Sequence, residues 1–315
     1  MIMEGILKNW RGFVNEGVTP EGKIELKYYA FDWDDNVMMM PTEIIFNNVE
    51  VDAADNTETI KGEVLLSTEE FAHERGKIGK PFEFKGEMVD LRYLPNDNSF
   101  INFRDNPKAN SDFIAQAQTA PLGPVFNDFA KAVNEASYFA IITARGHSKD
   151  TLREACYATI KEQRGGISLN TFLTNFNVYR KVFGQSEIND VDLALREYLK
   201  DGNCQFSPVS HPSIAGTGKG GASSPEELKK EQFKQFSNRM RRKATDLRNL
   251  NKQAEQIDQG FLESGEFQIG FSDDDIRNAK AMANMLKKSR TSSVYHTTPS
   301  GKVRLNVPRD TSGQR

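Results

Sequence analysis

Cysteine is scarce in this 315-residue sequence: Cys156 and Cys204 stand alone, too few for a disulfide framework, and a reducing compartment, the cytoplasm, is expected. Histidine is scarce too. His73, His147, His211 and His296 are scattered and show no zinc-ligand spacing. No apolar run approaches the length of a membrane span, so no membrane partner is expected. Neither sign of charge dominates: 41 Lys and Arg against 44 Asp and Glu leave a net charge of -3, which supplies no global attraction to nucleic acid or anionic lipid. No signal peptide is expected, because Glu4, Lys8, Asn9 and Arg11 interrupt the apolar residues at the start. The length suffices for a full core, as one large domain with an insertion or as two domains.

What is present is organised around Tyr28-Tyr29-Ala30-Phe31-Asp32-Trp33-Asp34-Asp35-Asn36-Val37, an apolar run that ends in three carboxylates. Such a run reads as a buried strand delivering acid to the carboxyl end of a sheet, where open α/β sheets place their sites. Carboxylates this close repel one another unless a cation neutralises them, which favours a hard, oxygen-seeking ion such as Mg2+. The alternative reading is a solvated acidic turn after an edge strand.

After Met38-Met39-Met40-Pro41 the chain turns polar and β-rich, with alternating segments at 43–51, 63–67 and 82–88. This stretch, 41–119, reads as an insertion over the site. Its aromatics suit a lid or a substrate-selecting surface, or simply its own small core. The main pattern resumes at Pro121, with a helix carrying Phe126, Phe129, Ala130 and Val133 on one face. The strand Tyr138-Phe139-Ala140-Ile141-Ile142 follows, ending at Thr143-Ala144-Arg145-Gly146-His147. A helix capped by Ser148 is predicted next, to about Gln163, with Cys156 in its packed face. Thr143 can donate to a phosphate oxygen or serve only as a strand former. Arg145 can add charge to an anion site or cover the sheet edge, and His147 reads as a surface or capping residue.

Residues 167–200 look helical, Asp201-Gly202-Asn203 breaks them, and Cys204-Gln205-Phe206 reads as a further strand. Gly216-Thr217-Gly218-Lys219-Gly220-Gly221 is not a phosphate loop of the Walker type: the first glycine is misplaced, and Gly220 stands where a metal-binding hydroxyl is needed. Ser224-Pro225-Glu226-Glu227 is a strong helix start. On that helix Lys229 shares a face with Phe233, Phe236 and Met240, and a lysine near a helix N-terminus on the inward face needs an anion beside it. The cluster Arg239, Arg241, Arg242 and Lys243 reads as a solvated face. Phe267-Gln268-Ile269-Gly270-Phe271 is a last strand that also ends in acid, at Asp273-Asp274-Asp275, and a helix runs from there to about Lys288. From Ser289 to Arg315 the composition reads as a flexible tail.

These four stretches, in this order, resemble the motifs of the haloacid dehalogenase (HAD) superfamily of aspartate-nucleophile phosphohydrolases. The first motif stands as Asp32-Trp33-Asp34-Asp35-Asn36-Val37, the second as Thr143, the third as Lys229 with Lys230 in reserve, and the fourth as Asp273 and Asp274. The resemblance implies an α/β fold, a Rossmannoid parallel sheet flanked by helices over 23–40 and 120–288. It places a cap-like insertion after the first strand and a helical insertion before the third. Asp32 would attack phosphorus, and Asp34 would protonate the leaving oxygen and later activate water. Mg2+ would be held by Asp32, the main-chain carbonyl of Asp34, Asp273 and Asp274, with Asp275 an alternative register, while Thr143 and Lys229 would hold the phosphoryl oxygens. The substrate would be a phosphorylated small molecule, a nucleotide or a polynucleotide end. Two positions depart from the family: Asn36 replaces the usual Thr, and Asp35 the usual small residue.

Ile6, Leu7, Trp10, Phe13 and Val14 fall on one face of a short helix within a segment, 1–22, that turns at Pro20-Glu21-Gly22. With Asn15-Glu16 before Gly17, it resembles the capsid-targeting leaders of internal head proteins in T-even-type tailed phages, cleaved after a Glu. That resemblance implies a capsid or scaffold contact through residues 1–16 and a location in host cytoplasm or virion. The alternatives are a docking helix and a helix packed on the protein's own surface.

Overall fold

The computed structural model describes residues 24–215, 224–255, 261–262 and 266–305. The leader reading and the glycine-rich stretch 216–221 lie outside these residues. Among the described residues ten strands form two sheets: β1 (Lys27–Phe31), β2 (Glu43–Val51), β3 (Glu58–Ser67), β4 (Pro81–Phe84), β5 (Glu87–Tyr93), β6 (Phe139–Thr143), β7 (Gln205–Pro208), β8 (Gln268–Asp273), β9 (Ser292–Thr298) and β10 (Gly301–Arg304).

The larger sheet runs in the order β10-β9-β8-β1-β6-β7 and is parallel except for β10. β1 lies inside it because it is apolar on both faces, as strands covered by helices on either side must be. Every residue of β6 is buried for the same reason. β1 pairs with β6 from Tyr29 opposite Phe139 and with β8 as far as Phe31 opposite Ser272. The acidic ends of β1 and β8 and the hydroxyl end of β6 therefore emerge side by side. This is an α/β architecture: a mixed, mostly parallel sheet and a separate antiparallel sheet, flanked by helices.

The smaller sheet, β3-β2-β5-β4, is antiparallel and comes from the segment after the first acidic turn. It has its own core of Ile44, Phe46, Leu66, Phe82, Val89, Leu91 and Phe103. The expected insertion boundary at residue 119 is too late. A helix at Pro107–Thr119 places Phe113 and Ala117 in the main core, and Thr159 Oγ1 donates to the Ala117 carbonyl over 3.0 Å. Its stripe, Ala109-Phe113-Ala117, is mostly alanine, which weakens the periodic signal, yet Asn106 caps it and Pro107 occupies its first turn.

The expected tail from residue 289 is a second correction. β9 pairs parallel with β8, and β10 returns antiparallel along β9. Ser, Thr and His dominate β9, so little apolar signal marks it. Its side chains are satisfied instead by bonds into the body: Thr297 Oγ1 donates to Asn36 Oδ1 over 2.8 Å, and His296 Nε2 lies 2.9 Å from the Asp274 carbonyl. The helices expected at 148–163 and 167–200 are found at Lys149–Lys161, capped by Ser148, and at Leu169–Val182 and Val191–Tyr198. The helix opened by Ser224-Pro225 is the longest described, Pro225–Glu255. Among the described residues no helix is long and apolar enough to cross a membrane.

Candidate functional site

The site begins where β1 stops. The Asp32 amide still donates to the Ser272 carbonyl at 2.9 Å, and the chain then folds back so that the Val37 and Met38 amides both reach the Trp33 carbonyl at 3.0 Å. Asp35 takes the left-handed conformation (φ 51°) this turn requires. Trp33, fully buried, anchors the turn edge-on against Phe113 and Phe129. Asn36 ties it to the neighbouring strand. Its Nδ2 lies 3.1 Å from the Asp32 carbonyl, 3.2 Å from the Ser272 carbonyl and 3.0 Å from Ser272 Oγ. Asn36 thus has a full set of partners here.

Gly123, just ahead of the helix carrying Phe126, also shapes the turn. Its amide donates to the Val37 carbonyl at 2.8 Å, and a Cβ there would sit 2.2 Å from the Asn36 carbonyl oxygen. The acidic turn and the Gly123 backbone touch, so no other residue fits without displacing the turn.

Lys229, near the N-terminus of Pro225–Glu255, is buried, and its Nζ lies 2.8 Å from both Asp32 Oδ2 and Asp273 Oδ2. The anion that its position demanded is a pair of carboxylates. Lys230 is only half-buried. Asp32 Oδ1 accepts the Trp33 amide at 2.8 Å, and Asp273 Oδ1 accepts Asn278 Nδ2 at 3.0 Å and the Asp275 amide at 3.1 Å. Asp275 itself turns away to cap Ile276–Leu286 and pairs with Arg277 and, at 3.7 Å, Arg75.

The remaining carboxylates converge. Oxygen atoms of Asp32, Asp273 and Asp274 lie within 4.8 Å of one another. Burial raises the pKa of all three; Lys229 opposes that rise, while repulsion from Asp34 on Asp32, and from Asp32 on Asp273 and Asp274, adds to it. Burial also disfavours the Lys229 ammonium, but Asp273 and Asp32 outweigh it and hold its pKa above the ordinary value. An all-oxygen, under-neutralised donor set of this kind fits a hard divalent cation.

Asp34 points elsewhere. Arg145 grips it with Nε 2.8 Å from Oδ2 and Nη2 2.5 Å from Oδ1, and Nη2 also donates to Thr42 Oγ1 at 2.7 Å. The guanidinium is buried between the rings of Phe103 and Phe113, at 4.7 and 4.3 Å from their centroids. Arg145 is thus buried against Asp34 rather than laid over the sheet edge, and it also lines the cavity above the carboxylates. Thr143, also buried, has its hydroxyl 3.4 Å from Asp34 Oδ2. His147, expected at the surface, is fully buried and stacked on Phe113 at 4.7 Å.

Above these groups lies a cavity of about 500 Å³, floored by Asp32, Asp34, Thr143, Arg145, Lys229 and Asp274 and roofed by the insertion. Thr68 donates to Asp35, and Arg75 pairs with Glu226 at 2.7 Å, so two contacts hold the roof to the body. A third is main-chain: the Gly146 amide donates to the Phe103 carbonyl at 2.9 Å.

Comparison of the chain with protein-family models, with curated proteins and with solved structures finds no match.

Proposed function

We propose that the chain is a Mg2+-dependent phosphatase of the HAD type, acting on a phosphorylated small molecule or nucleotide. The observation that carries this reading is the Lys229 ammonium 2.8 Å from carboxylates at two distant strand ends, Asp32 and Asp273. The strand order supports it too, since β1 lies between the strand ending in Asp273 and the strand ending in Thr143. Asp32, Asp273 and Asp274, with the main-chain carbonyl of Asp34, would hold the ion. When bound, Mg2+ supplies the positive charge that lets a carboxylate approach an anionic phosphoryl group.

Asp32 would attack phosphorus as the P–O bond to the leaving group breaks, and Asp34, which Arg145 holds in place and which must carry a proton when substrate is bound, would give that proton to the departing oxygen. Water then attacks the aspartyl-phosphate, passes a proton to Asp34, and releases phosphate with Asp32 restored. Thr143 and Lys229 hold the phosphoryl oxygens, and Lys229 offsets the charge that builds in the transition state. Arg145 orients Asp34 for both proton transfers. The test is Mg2+-dependent phosphate release from p-nitrophenyl phosphate and a nucleotide panel, lost in Asp32→Asn. No release from any ester, with Asp32→Asn indistinguishable from wild type, refutes the enzyme.

One observation favours a second reading, a non-catalytic HAD-like phage protein packaged in or attached to the virion. Lys229 and Arg145 already engage Asp32, Asp273 and Asp34, so each of these three carboxylates has a cation of the chain itself as partner. On that reading residues 1–16 would contact capsid or scaffold, and virion-derived protein would begin at Gly17 by mass spectrometry. An N-terminus at Met1 in virions refutes the cleavage.

A further inference from the structure

The cavity is lined by two unlike sets of side chains. One carries the chemistry, Asp32, Thr143, Lys229 and Asp274; the other is apolar, Phe71, Tyr93, Phe100 and Phe103 from the insertion. The insertion does not consume all of these rings in its own core. Phe103 is buried there, but Phe71 and Phe100 are half-buried and Tyr93 is 48% exposed. Tyr93 and Phe100 stack at 27° with centroids 6.0 Å apart, and Phe71 meets Phe100 edge-on at 5.7 Å. Half-open aromatic faces in the same cavity as an anion-handling group favour a flat, polarisable ligand.

The charges on the wall narrow the choice further. Arg104 is held by the Asn96 carbonyl at 2.7 Å and by Asp97 at 3.2 Å, and Arg75 by Glu226 and Asp275. With Arg145 bound to Asp34, each arginine lining the cavity has an internal acceptor. The lining carries the carboxylates of Asp32, Asp34, Asp97, Asp274 and Asp275 against the cations Arg75, Arg104, Arg145 and Lys229, so it holds no surplus positive charge for a chain of phosphates. About 500 Å³ lies within the range of small-ligand pockets.

We infer that this cavity takes a nucleoside monophosphate, its base against Tyr93 and Phe100 and its single phosphoryl group between Asp32 and Lys229. This rests on the phosphatase reading and adds the substrate class to it.

The full chain is compared on adenosine 5′-monophosphate, uridine 5′-monophosphate and ribose 5-phosphate with Mg2+, reading kcat/KM from phosphate release and Kd by calorimetry. Both measures favour the nucleotides by roughly 5- to 100-fold, the range expected for stacking one base. The preference shrinks to within about twofold in Tyr93→Ala and, independently, in Phe100→Leu. It survives in Met88→Ala, a residue 68% exposed and outside the cavity. Equal values for nucleotide and sugar phosphate in the wild-type chain overturn the inference and leave the phosphatase reading standing. If no ester is hydrolysed, the phosphatase reading fails and Kd decides alone: nucleotide binding that Tyr93→Ala weakens upholds the ring site, and no nucleotide binding removes it.

Discussion

Arg145 and Asp34 form a buried, two-pronged ion pair, Nε to Oδ2 at 2.8 Å and Nη2 to Oδ1 at 2.5 Å, that joins the end of β6 to the acidic turn after β1. Breaking such a pair leaves an uncompensated charge out of water, which costs about 3–5 kcal/mol. Arg145→Met is expected to lose stability of that order in urea unfolding. Arg145→Lys, which keeps the charge but not the planar fork, is expected to unfold less readily than Arg145→Met and still to fall well below wild type in phosphate release. Equal stability of all three forms would show that the pair does not hold the turn.

Lys229 bridges two carboxylates that otherwise repel. Lys229→Met should lower the melting temperature by roughly 5 °C or more in chelator, since two buried acids lose their shared cation. Mg2+ should raise the melting temperature of wild type and raise that of Lys229→Met by more, because the mutant leaves more negative charge for the ion to neutralise. Calorimetric scans with and without Mg2+ check this, and identical scans for both proteins would remove the metal site.

Gly123→Ala should destabilise the fold by about 1–3 kcal/mol and reduce turnover together, because its Cβ would collide with the Asn36 carbonyl rather than with a movable side-chain end. Unfolding midpoints and phosphate release report the two effects. A mutant with wild-type values would mean that the turn has room to shift.

His147 supplies a pH dependence. Burial and the nearby Arg145 charge push its pKa down from 6.5 to about 4. The unfolded chain therefore binds this proton first as pH falls. The neutral imidazole's contribution is fully present above about pH 6.5, declines between 6.5 and 4, and levels off below, a total of roughly 3 kcal/mol. In His147→Phe, which keeps a ring against Phe113, the stability-against-pH curve should lose that decline. Parallel curves for the two proteins would show that His147 does not titrate in this window.

Much of the frame was legible along the chain because burial imposes local patterns. Apolar runs ending in acid at Asp32 and Asp273, the hydroxyl end at Thr143 and the helix start at Ser224-Pro225 all lie where they were read. The alanine-rich stripe of Pro107–Thr119 and the polar β9 escaped notice, since a weak apolar signal does not distinguish a packed element from a solvated one. His147 was misplaced for a related reason: an isolated histidine carries no local mark of depth, and its burial depends on Phe113 arriving from a helix thirty-odd residues earlier.

Residue order by itself determined which side chains stand at the strand ends, because strand periodicity and the abrupt change from apolar to charged are properties of neighbours along the chain. Only the tertiary structure decided their partners. Arg145 sits beside Asp34, and Lys229 lies between Asp32 and Asp273, because charges taken out of water must find opposite charges within a few ångströms. Which ones lie within reach is set by how the strands are ordered across the sheet.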